Sequence, residues 1–256
     1  MIINILTIFP EMFGSVFSSS ILGRACAQGL LEIRLTDIRP FSASKHKNTD
    51  DYPFGGGAGM VMTAQPIMDA MAAVTAELPN ARRIYLGPRG RKLNTALARE
   101  LAAEESLILL CGHYEGVDQR ALDACIDEEI SIGDYILTGG ELPAMIIADS
   151  VLRLLPGILK EGSAEEESFE NGLLEYPQYT QPAEYEGRRV PEVLLSGNHE
   201  KIRRWRLKES LRTTYRNRPD LLKKRALNEE EQLLLCEVME EEQESPGEAG
   251  GEEQNE

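Results

Sequence analysis

The 256-residue sequence has few of the residues that build disulfide frameworks or zinc sites. Its four cysteines, at positions 26, 111, 125 and 236, form no C-x-x-C pair. Its three histidines, at positions 46, 113 and 199, are equally dispersed. Zinc sites and disulfide frameworks show characteristic cysteine and histidine spacings, so we expect reduced core thiols and no metal centre.

Long apolar runs are absent too. No stretch approaches the roughly 20 residues that a transmembrane helix needs. The start, MIINILTIFPEMF, lacks the basic region and the small-residue cleavage site of a signal peptide. With 42% hydrophobic residues the chain has enough apolar side chains for a sizeable core. We therefore expect a globular, cytoplasmic protein with no membrane partner.

The glycine motifs of the common nucleotide sites are missing. DDYPFGGGAGMVM, residues 50–62, holds Gly55, Gly56, Gly57 and Gly59, but a P-loop needs Gly-Lys-Ser/Thr next, and here Met60 follows. The first apolar run leads into TIFPEMFGS, without the glycines of a Rossmann fingerprint. Because glycine makes folding entropically costlier, the run at 55–59 needs another reason.

Positive charge is scarce overall and strongly concentrated. The formal net charge is −16, and residues 237–256 contain nine glutamates and no lysine or arginine, which predicts a disordered acidic tail. Residues 201–225, KIRRWRLKESLRTTYRNRPDLLKKR, instead carry eleven lysines and arginines against two acidic residues. On composition alone this segment is either a nucleic-acid contact or a solvated helix face.

Strand-like and helix-like patterns alternate along the first 156 residues. The strand candidates are INILTIF, LEIRLTDI, RIYLG, SLILLC and EEISIG. Helical patterns occupy residues 11–27, 65–78, 94–104, 117–126 and 140–155. This alternation predicts an α/β fold with a mainly parallel sheet. Residues 157–190 lack a clear period and predict a long linker, and three helical patterns at 198–213, 219–225 and 228–242 predict a small helical domain.

Glycine-bearing loops follow the last three strand candidates. They are LGPRGRKL, CGHYEGVDQR and SIGDYILTGGELPAM. Ligands of open α/β sheets bind beyond the carboxyl ends of the strands, so three such loops are expected to converge on one crevice. Taken singly, each glycine is explained as well by an ordinary strand-to-helix turn.

These loops, together with DDYPFGGGAGMVM and LLSGNHEKIRRWRLKESL, closely resemble the bacterial tRNA (guanine-37-N1)-methyltransferases of the SPOUT class. The likeness runs from Met1 to about residue 236. It implies a trefoil-knotted cofactor crevice, a homodimer, and methyl transfer from S-adenosylmethionine to guanine 37 beside the anticodon of tRNA. We accordingly expect a knotted domain at 1–156, a linker at 157–190, a helical tRNA-binding domain at 191–236 and a disordered tail at 237–256.

The resemblance also implies the cofactor residues. Small residues would let backbone groups reach the adenine edge, while apolar side chains form walls. The expected cofactor-binding residues are Tyr85, Leu86, Gly87, Pro88, Gly90, Gly112, Tyr114, Glu115, Ile132, Gly133, Asp134, Tyr135, Ile136, Leu137, Gly139 and Gly140.

The same resemblance implies a function for the glycine run at residues 55–59. In the family the 50–59 loop lies near the target guanine, so its glycines would admit a flipped base and Asp50 or Asp51 would accept hydrogen bonds from it. The alternative is a flexible surface loop without contacts. The expected RNA-binding residues are Asp50, Gly55, Gly59, His199, Arg203, Arg204, Trp205 and Lys208.

Two residues are implied as catalytic. Arg153 matches the family's arginine, which would stabilise charge on guanine O6; otherwise it is a surface arginine. The family's base is an aspartate before Ser-Phe, whereas here Glu167 precedes Ser168 and Phe169. Its neighbours Glu165 and Glu166 are alternatives, and the three together are also explained as a solvated acidic run.

Two other functions remain open. A non-catalytic RNA-binding protein on the same fold is supported by the glutamate at the base position. A related methyltransferase acting on another RNA target, such as a ribose 2′-hydroxyl, would share the crevice. Identification of the methylated nucleoside separates these possibilities.

Overall fold

The computed structural model describes residues 1–158 and 167–244, and the chain divides into two compact units, Met1–Leu159 and Lys160–Glu256. The predicted alternation of strands and helices is confirmed in the first unit, where the main strands pair in parallel. Its strands are β1 (Ile2–Thr7), β2 (Glu32–Asp37), β3 (Asp50–Asp51), β4 (Val61–Met62), β5 (Arg82–Lys92), β6 (Ser106–Cys111) and β7 (Glu128–Ser131).

Five of these strands form one sheet in the order β2-β1-β6-β5-β7. The central strand β6 is buried along its whole length. Successive side chains of a strand point to opposite faces. Leu107, Leu109 and Cys111 accordingly belong to one apolar cluster, and Ile108 and Leu110 belong to another. The continuous SLILLC run thus reflects a strand that is covered on both sides.

Helices cover both faces of this sheet. They are α1 (Gly14–Phe17), α2 (Ser20–Ala27), α3 (Ala64–Glu77), α4 (Thr95–Ala102), α5 (Gln119–Cys125) and α6 (Glu141–Leu152), with 3-10 turns at Pro10–Phe13 and Arg39–Phe41. The single helix predicted at 11–27 is instead broken into a 3-10 turn and two helices. Three consecutive serines, which have a lower helix propensity than alanine or leucine, lie at the break, and Ser20 adopts a φ of 55°.

Strand β5 does not end where the sequence predicts a loop. Both Leu86 and Arg91 pair with Ile130 of β7, so residues 87–90 bulge out of the ladder and the strand then resumes. A β-bulge leaves its extra residues unpaired and redirects the local backbone. The bulge therefore places Gly87 and Pro88 beside the carboxyl ends of β6 and β7.

The second unit contains the basic segment. Its elements are β8 (Glu184–Tyr185), β9 (Arg188–Arg189), α7 (Glu192–Leu195), α8 (His199–Asn217), α9 (Pro219–Lys223) and α10 (Glu229–Glu244). Leu173, Leu211 and Leu234 form its small apolar core, which α8 and α10 share. No helix among the described residues is long and apolar enough to cross a membrane.

The acidic C-terminal segment differs from the predicted disordered tail over part of its length. Residues 237–244 are the second half of helix α10, in which Val238 is fully buried. The buried Val238 and ion pairs to α8 hold this half in place, whereas composition alone suggested disorder. The rest of the predicted tail, residues 245–256, lies outside the described residues.

Candidate active site

A cavity of about 250 Å³ lies at the carboxyl ends of β5, β6 and β7. Its walls come from residues 86–88 of β5, at the start of the bulge, and from the loops after β6 and β7, as expected for convergent glycine loops. The lining residues are Tyr85, Leu86, Gly87, Pro88, Gly112, His113, Tyr114, Glu115, Gly116, Ile130, Ser131, Ile132, Gly133, Tyr135, Ile136, Leu137, Thr138, Gly139, Gly140 and Pro143.

The loops after β6 and β7 cross in direct backbone contact. The Gly140 amide donates to the Gly112 carbonyl at 2.8 Å, and His113 and Gly139 form an antiparallel bridge. A Cβ atom on Gly140 would lie 2.6 Å from the Cα atom of Cys111. Since that neighbour is main chain, it cannot rotate away, so the crossing requires glycine at this position.

A buried carboxylate, that of Glu141, lies next to this crossing. Glu141 begins helix α6 and is almost fully buried, and its Oε1 accepts a 2.8 Å hydrogen bond from the Thr7 hydroxyl at the end of β1. Its Oε2 lies 3.8 Å from Nδ1 of His113, whose ring packs edge-on against Phe9. An acidic side chain is favourable at a helix N-terminus, and these contacts connect the ends of β1 and β6 to the start of α6.

The glycine-rich loop joins β3 to β4 and rests on the loop after β6. The Met62 amide donates to the Gly116 carbonyl at 2.9 Å, and the Glu115 amide donates to the Met60 carbonyl at 2.9 Å. A Cβ on Gly59 would meet the Glu115 carboxylate oxygen at 2.5 Å. An added Cβ would have to displace the Glu115 side chain, and the φ of 80° independently favours glycine at this position.

The tip of that loop is open. A Cβ on Gly55 would have no atom within 4 Å, although a φ of 87° still favours glycine there. The neighbouring Phe54 is fully exposed. An exposed aromatic ring beside bare backbone is suited to receiving a planar ligand by stacking.

Tyr114 connects the cavity to this loop. Its backbone has a φ of 58°, rare for a bulky residue, and the strain is consistent with a functional constraint. Partial burial and, secondly, the nearby Asp50 carboxylate raise the pKa of the Tyr114 phenol, which also hydrogen-bonds Thr49. The side chain therefore lies between the cavity that it lines and the half-buried Asp50.

Comparison with known proteins identifies the family of the chain. Residues 1–224 match the family model described as tRNA (Guanine-1)-methyltransferase TrmD. The chain belongs to this family. Named tRNA (guanine-N(1)-)-methyltransferases from Clostridium botulinum strain Langeland and Geobacillus kaustophilus are each 56% identical, over 91% and 92% of this chain and 96% and 97% of their own lengths. The one from Alkaliphilus oremlandii is 51% identical over 93% of this chain and 98% of its own length.

Fourteen of the sixteen residues predicted to bind cofactor line the cavity at the carboxyl ends of β5, β6 and β7. Gly90 and Asp134 do not. Gly90 lies in the bulge against the backbone of Glu129, where a Cβ would clash, and Asp134 points outward to Lys92 at 2.9 Å. That these two positions bind cofactor stays a prediction, because adjacency to a motif does not determine side-chain direction.

Six lining residues were not predicted: Ile130, His113, Gly116, Ser131, Thr138 and Pro143. His113 stands between two predicted residues, so its position in the motif was a usable signal. Ser131 hydrogen-bonds both the amide and the carbonyl of Gly133, which holds the turn after β7. No cluster of three metal-ligating side chains occurs within residues 1–158 and 167–244.

The two residues implied as catalytic lie in different units. Arg153 caps the C-terminus of α6 in the first unit, with its amide donating to the Asp149 carbonyl at 3.3 Å. Glu167 is half-buried in the second unit and lines a cavity of about 460 Å³ together with His199 and Arg206. The alternatives Glu165 and Glu166 lie outside the described residues.

The residues predicted to contact RNA in the second unit all lie on α8. His199 is the first residue of that helix, and Trp205 packs near Tyr179 with ring centroids 6.3 Å apart. Arg203, Arg204 and Lys208 are each paired with a glutamate of α10. The basic segment is therefore partly neutralised within its own unit.

Proposed function

We propose that the protein methylates N1 of guanine 37 in tRNA, with S-adenosylmethionine as the methyl donor. The observation that carries this is the convergence of three glycine-bearing segments on one cavity in a chain of the tRNA (guanine-1)-methyltransferase family. Backbone groups near Gly112 and Gly139 are within reach of a flat heterocycle, and Leu86, Ile132 and Leu137 supply apolar contact.

The crevice is proposed to be the knotted SPOUT arrangement, because the loops after β6 and β7 cross in backbone contact at Gly112 and Gly140. The cofactor would occupy this crossing. The proposed domain limits are those expected from the sequence, except that the tail begins after helix α10. We place the protein in the cytoplasm, where unmodified tRNA is found.

Catalysis is proposed to need one base and one cation. The Glu167 carboxylate takes the proton from guanine N1 and becomes a carboxylic acid. The charge left on O6 is stabilised by the Arg153 guanidinium. The N1 lone pair then forms the new N–C bond as the S–C bond of the donor breaks, which leaves a neutral thioether and a methylated, neutral base.

The glycine-rich loop is proposed to hold the target base. Asp50 would accept hydrogen bonds from the Watson–Crick edge of guanine, with Gly55 and Gly59 leaving room for the flipped nucleotide. Helix α8 would contact phosphates of the anticodon arm, with His199 and Trp205 in its amino-terminal half.

We expect incubation with labelled methyl donor and unmodified tRNA transcripts to place label in 1-methylguanosine at position 37. The matched control is a transcript with adenine at 37, which should accept no label because it offers no N1–H beside an O6 carbonyl. Label persisting on that control, or appearing as a ribose 2′-O-methyl group, would refute the assignment. Wild-type protein that binds tRNA but transfers no label would favour the non-catalytic alternative.

We also propose a homodimer. Leu142 and Ile146 lie one turn apart on α6, and both are exposed although this helix otherwise carries many buried side chains. An apolar stripe of this kind is suited to a subunit interface. We expect twice the chain mass of 28.5 kDa by light scattering at micromolar concentration. Replacing Ile146 by glutamate should shift the mass toward the monomer, and a fully active monomeric wild type would contradict the proposal.

A further inference from the structure

Helix α8 presents a regular row of positive charges. Arg204, Lys208, Arg212 and Arg216 are spaced four residues apart, so they lie along one side of the helix with a rise of about 6 Å per step. A row of lysines and arginines along one helix side is a typical electrostatic contact for a nucleic-acid backbone.

Glutamates of helix α10 pair with this row. Glu237 reaches both Arg204 and Lys208, and Glu241 reaches both Lys208 and Arg212. The distances are 2.8 Å for Arg204–Glu237, 2.8 Å for Lys208–Glu237, 2.8 Å for Lys208–Glu241, 2.7 Å for Arg212–Glu241 and 2.7 Å for Arg216–Glu242. Three carboxylates therefore serve four cations.

These carboxylates are ionised. Hydrogen bonds from Lys208 lower the pKa of Glu237, and hydrogen bonds from Lys208 and Arg212 lower that of Glu241. A hydrogen bond from Arg216 lowers the pKa of Glu242. At neutral pH the side chains of α10 thus place negatively charged oxygens against the row, as the non-bridging oxygens of phosphates do.

Helix α10 is fixed by contacts other than these pairs. Leu234 and Val238 are fully buried, and the buried Glu231 pairs with Arg225 and accepts from the Asn228 amide at 2.9 Å. The glutamates that pair with the row are more accessible than Glu231, with side-chain exposures of 42%, 48% and 22% for Glu237, Glu241 and Glu242. They can rotate away from α8 while the helix backbone stays packed.

We propose that the carboxylates of Glu237, Glu241 and Glu242 compete with tRNA phosphates for the cationic row of α8. This rests on the proposed function, in which α8 contacts tRNA. Partly exposed ion pairs are individually weak and screened by salt, so exchange of a carboxylate for a phosphate is feasible. Each carboxylate released in this way recruits counterions, which offsets those that the phosphate gives up.

The competition is tested by removing three carboxylates together, in the variant Glu237→Gln/Glu241→Gln/Glu242→Gln. Binding of an unmodified tRNA transcript is measured without methyl donor, by fluorescence anisotropy over a series of salt concentrations. We expect about tenfold tighter binding near physiological salt, and a plot of log K against log salt that is steeper by up to about 2, for three carboxylates at about 0.7 each.

A matched control keeps the change in net charge but leaves the pairs intact. Glu229, Glu240 and Glu244 lie on the same helix, and none of them makes an ion pair with any residue that the structure describes. The variant Glu229→Gln/Glu240→Gln/Glu244→Gln should bind tRNA with nearly the wild-type affinity and salt slope. Equal tightening in both variants would mean a general charge effect and would overturn the proposal.

Two further measurements keep the test decisive. If the triple variant melts at a markedly lower temperature than wild type, Glu241→Gln alone, which removes the carboxylate shared by Lys208 and Arg212, should still tighten binding by about two- to threefold. Unchanged affinity in a folded variant, while the wild type methylates guanine 37, refutes only the competition. Absence of methylation in the wild type refutes the proposed function instead.

Discussion

Replacing Gly140 by alanine should weaken methyl-donor binding by about tenfold or more. The added Cβ would lie 2.6 Å from the Cα atom of Cys111 and 2.9 Å from the Gly112 amide nitrogen. Neither atom can move without its strand, so the loops must separate and the 2.8 Å bond from Gly140 to Gly112 must lengthen. Overpacking of this kind typically costs about 1–3 kcal/mol, and a donor that requires the closed crossing must supply that energy on binding.

Calorimetric titration with S-adenosylmethionine measures this loss directly. Gly14→Ala is a matched control, because Gly14 has helical dihedral angles of −55° and −47° and no atom within 4 Å of an added Cβ. That control should bind donor normally and be as stable as wild type, or slightly more so. Wild-type donor affinity in a folded Gly140→Ala variant would show that the crossing at Gly140 is not the donor site.

The location of the cavity was predictable from local patterns. Apolar runs of strand length followed by glycine-bearing loops indicated which strand ends would carry ligand contacts, and general topology places those ends at one edge of the sheet. For Gly112, Gly139 and Gly140 the prediction that they lie together is confirmed by the lining of one cavity. Whether these residues bind donor stays a prediction.

Features that depend on long-range contacts were beyond the sequence. The bulge at residues 87–90 arises from how β5 pairs with β7, and no local pattern shows that β5 resumes at Arg91. The burial of Glu141 depends on Thr7, which lies 134 residues away in sequence. Opposite charge on two helical segments was visible, but its pairing required α8 and α10 to pack together around Leu211 and Leu234.

The glycine run illustrates both cases. Its composition indicated close approach or positive φ, and Gly59 has both, against the Glu115 side chain. The partner could not be identified, because the hydrogen bonds that hold the loop join main-chain atoms of Met60 and Met62 to Glu115 and Gly116. Main-chain bonds leave no residue-type signature in a single sequence.

Glu167→Gln should abolish methyl transfer while leaving donor affinity nearly unchanged. The amide keeps the size of the side chain but cannot take the proton from guanine N1, and general-base catalysis typically contributes about 10²- to 10⁴-fold. Glu167 belongs to the second unit and is not one of the residues that line the cavity at β5, β6 and β7, so donor binding should persist. Single-turnover assays with excess enzyme measure the chemical step without interference from product release.

The longer side chain makes the aspartate variant informative. Glutamate is one methylene longer than the aspartate of the family, and a displacement of about 1 Å can cost about a hundredfold in rate. The surrounding chain is expected to shift so that the shorter carboxylate still reaches guanine N1. Glu167→Asp should then retain or raise the single-turnover rate. Glu170→Gln is the matched control, because Glu170 follows in the same turn, with its amide donating to the Glu167 carbonyl at 3.2 Å. We expect that control to retain most activity, and near-normal turnover in Glu167→Gln would exclude this carboxylate as the base.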